Sequence, residues 1–245
     1  MNEKIIILDF GSQYTQLIAR AIREQHVFCE IIPFNKPFEQ TSNLKGIILS
    51  GSPCSVNEEN APVADVQKLT DYCPVLGICY GAQLTAKLFG GLVAKSNKRE
   101  YGRAVFNVQH NDIFLSEVEP ATQVWMSHSD TIKELPNHFT VLGSTENIPV
   151  AAFKLSENLS NPVYGLQFHP EVYHSVEGKK MISNFLFEIC KCKGDWTPAH
   201  YISETVAQLK TTIGDRKVIM GLSGGVDSTV AATLIHKAIG ENLTG

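Results

Sequence analysis

The chain has 245 residues, 43% of them hydrophobic and 19% charged, with a formal net charge of −4. That is ample material for a buried core, in one large domain or in one domain and part of another. The small negative balance, with no basic run interleaved with aromatics, argues against nucleic-acid or membrane-surface binding.

In chain order, "KIIILDF" (4–10) is a continuous apolar run that reads as a buried strand, and Thr15–Glu24 repeats apolar residues at helical spacing. "CEIIPF" (29–34) and "KGIILSG" (45–51) are further short strands, Pro62–Tyr72 reads as a helix, and "PVLGIC" (74–79) is a strand feeding a helix that runs to Phe89. Short apolar strands alternating with helices predict an α/β fold, an open and mostly parallel sheet flanked by helices. Ligands bind beyond the carboxyl ends of such strands, where Asp9, Ser50, Gly51 and Cys79 fall.

From Arg103 to Phe153 the pattern becomes alternating strands, "RAVFNVQ", "TQVWMSH", "FTVLGST" and "VAAFKL", added to the first sheet or forming a small neighbour. "VYGLQFHPEV" (163–172) reads as another strand and Glu177–Cys190 as a long helix. "KGDWTPAH" (193–200) breaks the periodicity as a linker would. A helix (Ile202–Ile213), the strand "KVIMGL" and "SGGVDSTVAATLIHKAIG" then read as one βα unit of a further domain. The expected organisation is therefore a first domain over 1–192, a linker over 193–200, and a truncated second α/β domain over 201–245. With so little of that domain present, residues after about Trp196 are expected to be loosely packed, rearranged or docked on another molecule, and a fully buried strand at 217–222 within the monomer would refute this.

Six scattered cysteines lack a disulfide-framework spacing, and Cys190-Lys191-Cys192 lacks the two-residue gap of zinc ligands. The N-terminal apolar run is too short to span a bilayer, and no signal-peptide cleavage pattern follows it. A reduced, cytoplasmic setting is expected, and it suits a free thiol.

The corner at "GICYGAQ" carries the first chemistry. Cys79 between Gly77 and Gly81 is either a small core hydrophobe or a nucleophile on a tight strand-to-helix turn. In the second case the helix dipole favours the thiolate, and the backbone N–H of Tyr80 points at an oxyanion formed by attack on a carbonyl. A thiolate nucleophile needs a proton carrier, and "FHPE" offers one. Pro170 keeps His169 extended, so that Glu171 two residues on points the same way and can fix the imidazole tautomer. Taken alone, the pair also fits a strand-end His beside a solvated Glu.

"GICYGAQ" followed about ninety residues later by "FHPE" resembles the class I, or triad, glutamine amidotransferases over roughly residues 4–190. The resemblance implies that Cys79 attacks the side-chain amide of glutamine, that His169 transfers protons and that Glu171 orients the His. It implies that "LSGSPCSV" supplies a second oxyanion donor at Gly51 and Ser52, and that Gln83 contacts the substrate. It also implies that "WMSHSD" holds the α-amino and α-carboxylate groups along Ser127, His128, Ser129 and Asp130. The family usually has glycine at the positions of Ser52 and Ser129, and it gives Cys54 no role, leaving that residue structural. No metal site belongs to this chemistry.

"SGGVDS" (223–228) lies between a strand and a helix and lacks the lysine of a Walker A loop. A glycine-rich turn opening a helix can cradle phosphates, and Ser223, Gly224, Gly225, Val226, Asp227 and Ser228 resemble the PP-loop of ATP pyrophosphatases. The order of amidotransferase, linker and PP-loop, with "ILDFGSQYTQLIAR" (7–20) and "GDWTP" (194–198), resembles a family of two-domain, glutamine-hydrolysing synthetases. That resemblance implies that ammonia passes to a second site where ATP and Mg²⁺ activate xanthosine 5'-monophosphate (XMP), in a homodimer formed through a C-terminal region. The rival readings are a non-catalytic module binding glutamine or a partner, and a glutaminase serving another amination.

Overall fold

A computed structural model describes residues 3–245, side chains included except at 96–100. The chain divides into two compact units, the first ending at Asp195 and the second running Trp196–Gly245.

In the first unit the strands are β1 (Lys4–Asp9), β2 (Phe28–Pro33), β3 (Leu44–Leu49), β4 (Val75–Ile78), β5 (Leu92–Val108), β6 (Ala121–Glu134), β7 (Phe139–Ser144), β8 (Ala152–Leu155) and β9 (Val163–Leu166). They form one sheet in the order β2-β1-β3-β4-β9-β8-β7-β5-β6. The first five in that order pair in parallel and the rest antiparallel, so the alternating segment extends the first sheet. Both faces of β1 are covered: Ile5 and Ile7 join one core, Ile6 and Leu8 the other. This is why β1 reads as an unbroken apolar run where a half-exposed strand would alternate.

Helices α1 (Thr15–Arg23), α2 (Val66–Thr70), α3 (Tyr80–Leu88) and α4 (Gly178–Ser183) flank the sheet, and a π-helical segment continues α4 over Asn184–Ile189. The helix expected over 62–72 is confined to 66–70, because the Asp65 side chain accepts from Lys68 N and caps it late. The strand expected over 163–172 stops at Leu166. Beyond it, Gln167 N donates to Ala151 O and His169 N to Trp125 O, so the backbone changes partners.

In the second unit α5 (Pro198–Ile213) begins four residues before the expected start. Thr197 accepts from His200 N there, and Pro198 occupies the first helical turn. Strand β10 (Val218–Ile219) pairs in parallel with β11 (Leu243–Thr244), and α6 (Val226–Ile239) lies between them in sequence. Ile219 is 88% exposed, and Ala238 is the buried residue of α6. No helix among the described residues is long and apolar enough to cross a membrane.

Candidate active site

The sheet places β4 beside β9, so the two strands that lead into the Cys79 and His169 motifs end side by side. Cys79 follows β4 directly and caps α3, with φ 52° and ψ −101°, a backbone conformation that costs a non-glycine residue free energy. Its N–H donates to Leu166 O at 2.7 Å, which ties the turn to the end of β9. The flanking glycines are required by close approach. A Cβ on Gly77 would stand 2.6 Å from Ala82 N, and one on Gly81 2.5 Å from Leu49 O. Neither position accepts a side chain unless α3 moves off the sheet.

His169 lies three residues past β9, and its Nδ1 is 2.7 Å from Glu171 Oε1 with both side chains buried. Burial alone would push the imidazole down. The Glu171 carboxylate first, and then the neighbouring Cys79 side chain, outweigh it and hold His169 well above its ordinary value. The Cys79 thiol also lies 3.8 Å from Ser127 O, to which it can donate. The backbone of His169 is anchored in turn, since Ser175 Oγ donates to His169 O at 2.5 Å and accepts from Trp125 N at 3.0 Å.

A cavity of about 340 Å³ opens over the thiol. Cys79, His169, Gly51, Ser52, Tyr80, Gln83, Ser127, His128, Ser129 and Asp130 all line it, so the expected residues converge from four separate stretches of chain. Glu171 stands behind the imidazole. Ser52 and Ser129 are not among the described non-glycine residues with positive φ, so serine occupies both positions without that strain. Burial in the first place pushes His128 down to about 4; the charge on His169 adds to this and Asp130 opposes it. Asp130 is buried, and its carboxylate accepts from Ser55 Oγ.

Several cavity residues escaped sequence reasoning. Gly11, Ser12, Gln13 and Tyr14 form one wall, and the Tyr14 ring meets the His169 ring edge to face at 4.8 Å. Asp9 shapes that wall, its Oδ1 accepting from Gly11 N at 3.0 Å and from Thr15 Oγ1 at 2.7 Å. Tyr101 and Cys54 also line the cavity. The one available signal was position, since residues 11–14 follow the carboxyl end of a parallel strand.

In the second unit, residues 223–228 form an exposed turn running into α6. Gly224 has φ +77°, and nothing lies within 4 Å of where its Cβ would be. Ser223 Oγ and Ser228 Oγ are 3.1 Å apart across the turn, and Gly225 N donates to Ser223 Oγ at 3.4 Å. An open glycine turn before a 14-residue helix is compatible with an anionic group at the helix N-terminus.

Residues 6–189 match the model of the class-I glutamine amidotransferases, and residues 199–245 match that of NAD synthase. The chain is 56% identical over all 245 residues to a glutamine-hydrolysing GMP synthase of Cytophaga hutchinsonii, and 52% identical to one of Porphyromonas gingivalis. It covers 48% of each, and so spans about half the length of these curated relatives. Among solved structures, a Thermoplasma acidophilum protein assigned to GMP synthase as one of its subunits is 32% identical with a TM-score of 0.70. That match covers 83% of this chain and 98% of the other. A glutamine amidotransferase from Thermotoga maritima, 21% identical with a TM-score of 0.59 over 77% of this chain and 84% of its own, shares the fold.

Proposed function

The chain belongs to the class-I glutamine amidotransferase family, and from that premise we propose that it hydrolyses glutamine through a Cys79–His169–Glu171 triad. The observation that carries the reading is the turn that holds Cys79 at φ 52° in the same cavity as an imidazole backed by a buried carboxylate.

Cys79 attacks the side-chain carbonyl carbon of glutamine as the thiolate, with the proton on His169. The C–S bond forms and the carbonyl electron pair moves onto oxygen. The N–H groups of Tyr80 and of the Gly51–Ser52 stretch receive that oxyanion; Tyr80 opens α3, where first-turn N–H groups have no intrahelical acceptor. His169 then gives its proton to the departing nitrogen, the C–N bond breaks, and ammonia leaves a γ-glutamyl thioester. Water attacks the thioester while His169 takes its proton, and glutamate departs as the thiolate is restored. Glu171 holds the imidazole in the tautomer that serves both steps.

Within a longer protein we propose that the ammonia serves the amination of XMP to GMP, the activity named for the relatives. Residues 223–228 would hold the phosphates of ATP, which with Mg²⁺ supplies the activation energy for that step. Its partners would be glutamine, ATP, XMP and a second copy of the protein, and its setting the cytoplasm.

The test is glutamate release from glutamine by the purified protein, compared with Cys79→Ala. Release abolished by the substitution supports the triad. Equal release from both proteins would place the chemistry elsewhere. If the isolated chain is silent, protection of Cys79 from alkylation by glutamine gives the same answer without turnover.

A further inference from the structure

We infer that Gln167 is a positioning residue for the glutamine site, acting through Gln83. The inference rests on the glutaminase reading above and adds to it the part of the ligand that Gln83 recognises.

A carboxamide can be turned end for end with almost no change of shape, yet its two ends have opposite hydrogen-bonding character. Which end a glutamine side chain shows to a ligand is therefore decided by its neighbours. Gln83 Nε2 lies 2.8 Å from the main-chain oxygen of Asp130, an atom that can only accept. The same nitrogen lies 3.3 Å from Gln167 Oε1. Turning Gln83 round would set oxygen against oxygen at Asp130. One bond would leave the group free to swing about its broad terminal torsion; two bonds fix its plane. With both N–H groups engaged, the acceptor Oε1 is what remains for the cavity that Gln83 lines.

The Asp130 carbonyl sets which end of Gln83 is left for the cavity, and Gln167 is placed to add the second bond that fixes its plane. Gln167 is 1% exposed and Gln83 is 4% exposed, so water competes weakly for either amide. Its backbone is held by Ala151 O at 2.9 Å, and it follows Leu166, whose carbonyl accepts from Cys79 N. The strand end that bears His169 thus grips α3 twice, at the nucleophile and one turn further on at Gln83.

A carbonyl oxygen attracts an ammonium group and repels a carboxylate. The Gln83–Gln167 pair accordingly selects the protonated α-amino group of an α-amino acid, and the α-carboxylate is left to other parts of the cavity. The ligand class is an ω-amide that carries a free α-ammonium.

The experiment measures alkylation of Cys79 by iodoacetamide, read by peptide mass, with glutamine or glutaramate as protectant. Glutaramate keeps the amide and the carboxylate and lacks the α-ammonium. The wild type should be half-protected at a lower concentration of glutamine than of glutaramate. Gln167→Leu should raise the glutamine concentration about tenfold, the scale of one hydrogen bond to a charged group. It should leave the glutaramate value and the unprotected alkylation rate unchanged, so the preference collapses. Gln167→Glu retains an oxygen acceptor in either ionisation state and should retain the preference. Gln167→Met, of similar reach and without the acceptor, repeats the test if leucine unfolds the chain. A preference that survives leucine or methionine, or is lost equally with glutamate, overturns the inference. A wild type that glutamine never protects overturns the glutaminase reading itself, and the inference with it.

Discussion

His169 Nδ1 stands 2.7 Å from Glu171 Oε1, and at that distance, out of water, the carboxylate decides the charge of the ring. Glu171 keeps the proton on His169 well beyond the ordinary histidine range, with Cys79 assisting and burial opposing. In the proposed mechanism that proton goes to the departing ammonia, so loss of activity on the alkaline side should follow deprotonation of His169. Glu171→Gln keeps the shape and removes the charge. Turnover should fall about 10²-fold or more, and the alkaline limb of the kcat profile should move to lower pH. A variant with the wild-type profile would count against this role.

The same pair sets a window of stability. The folded pKa lies above the unfolded value of about 6.5, so the contribution is complete below about 6.5 and fades as pH rises through the folded value. Urea unfolding at pH 6 and pH 9 should show a larger gap between wild type and Glu171→Gln at the lower pH.

His128 should behave in the opposite sense. Its folded value is pushed down to about 4, chiefly by burial, while the unfolded chain binds the proton at about 6.5. Its neutral state stabilises the fold above about 6.5, and that stability drains away as pH falls toward 4. His128→Asn should remove a dependence on the order of 3 kcal/mol across that range. Denaturation curves at pH 7 and pH 5 measure it, and parallel behaviour of the two proteins would contradict it.

Gly81→Ala tests the tight turn. The new methyl would stand 2.5 Å from Leu49 O and 2.6 Å from Leu49 Cβ, so α3 must shift and carry the thiol with it. A loss of about 2–3 kcal/mol is expected, with a matching drop in Tm and most of the glutaminase activity gone. Unchanged melting would show that the turn is looser than its contacts imply.

Tyr14 offers a milder test. Tyr14→Phe keeps the ring against His169, whose centroid is 4.8 Å away, and should stay within about twofold of wild type. Tyr14→Ala removes the contact and should lower turnover by up to about tenfold, the usual worth of an aromatic pair. Equal effects of the two changes would point to the hydroxyl.

The residues proposed to react stand out in the sequence because such chemistry would leave local marks. Glycines two residues either side of Cys79 announce a turn with no room for side chains, and Pro170 after His169 announces an extended backbone. The parallel half of the sheet was legible from unbroken apolar runs such as Ile5–Leu8. What escaped has its cause at a distance. Tyr14 reaches His169 only because β1 lies next to β3, and the Gln167–Gln83 bond joins residues 84 positions apart. Helix α2 proved short because one aspartate, Asp65, caps it where the apolar spacing gave no sign of a start.

The insertion of β9 between β4 and β8 also bears on how the molecule comes into being. Val75 pairs with Val163 and Ile78 with Leu166, so a strand late in the sequence fills the middle of the sheet. Until residues 163–166 dock, β4 and β8 each present a bare edge, and Cys79 has neither its anchor at Leu166 O nor its histidine. Contacts of such long sequence separation form slowly. In refolding from denaturant, the ability to release glutamate should therefore return with the final kinetic phase, well after helical circular dichroism has recovered. A nascent chain would carry its thiol unarmed until the triad closes.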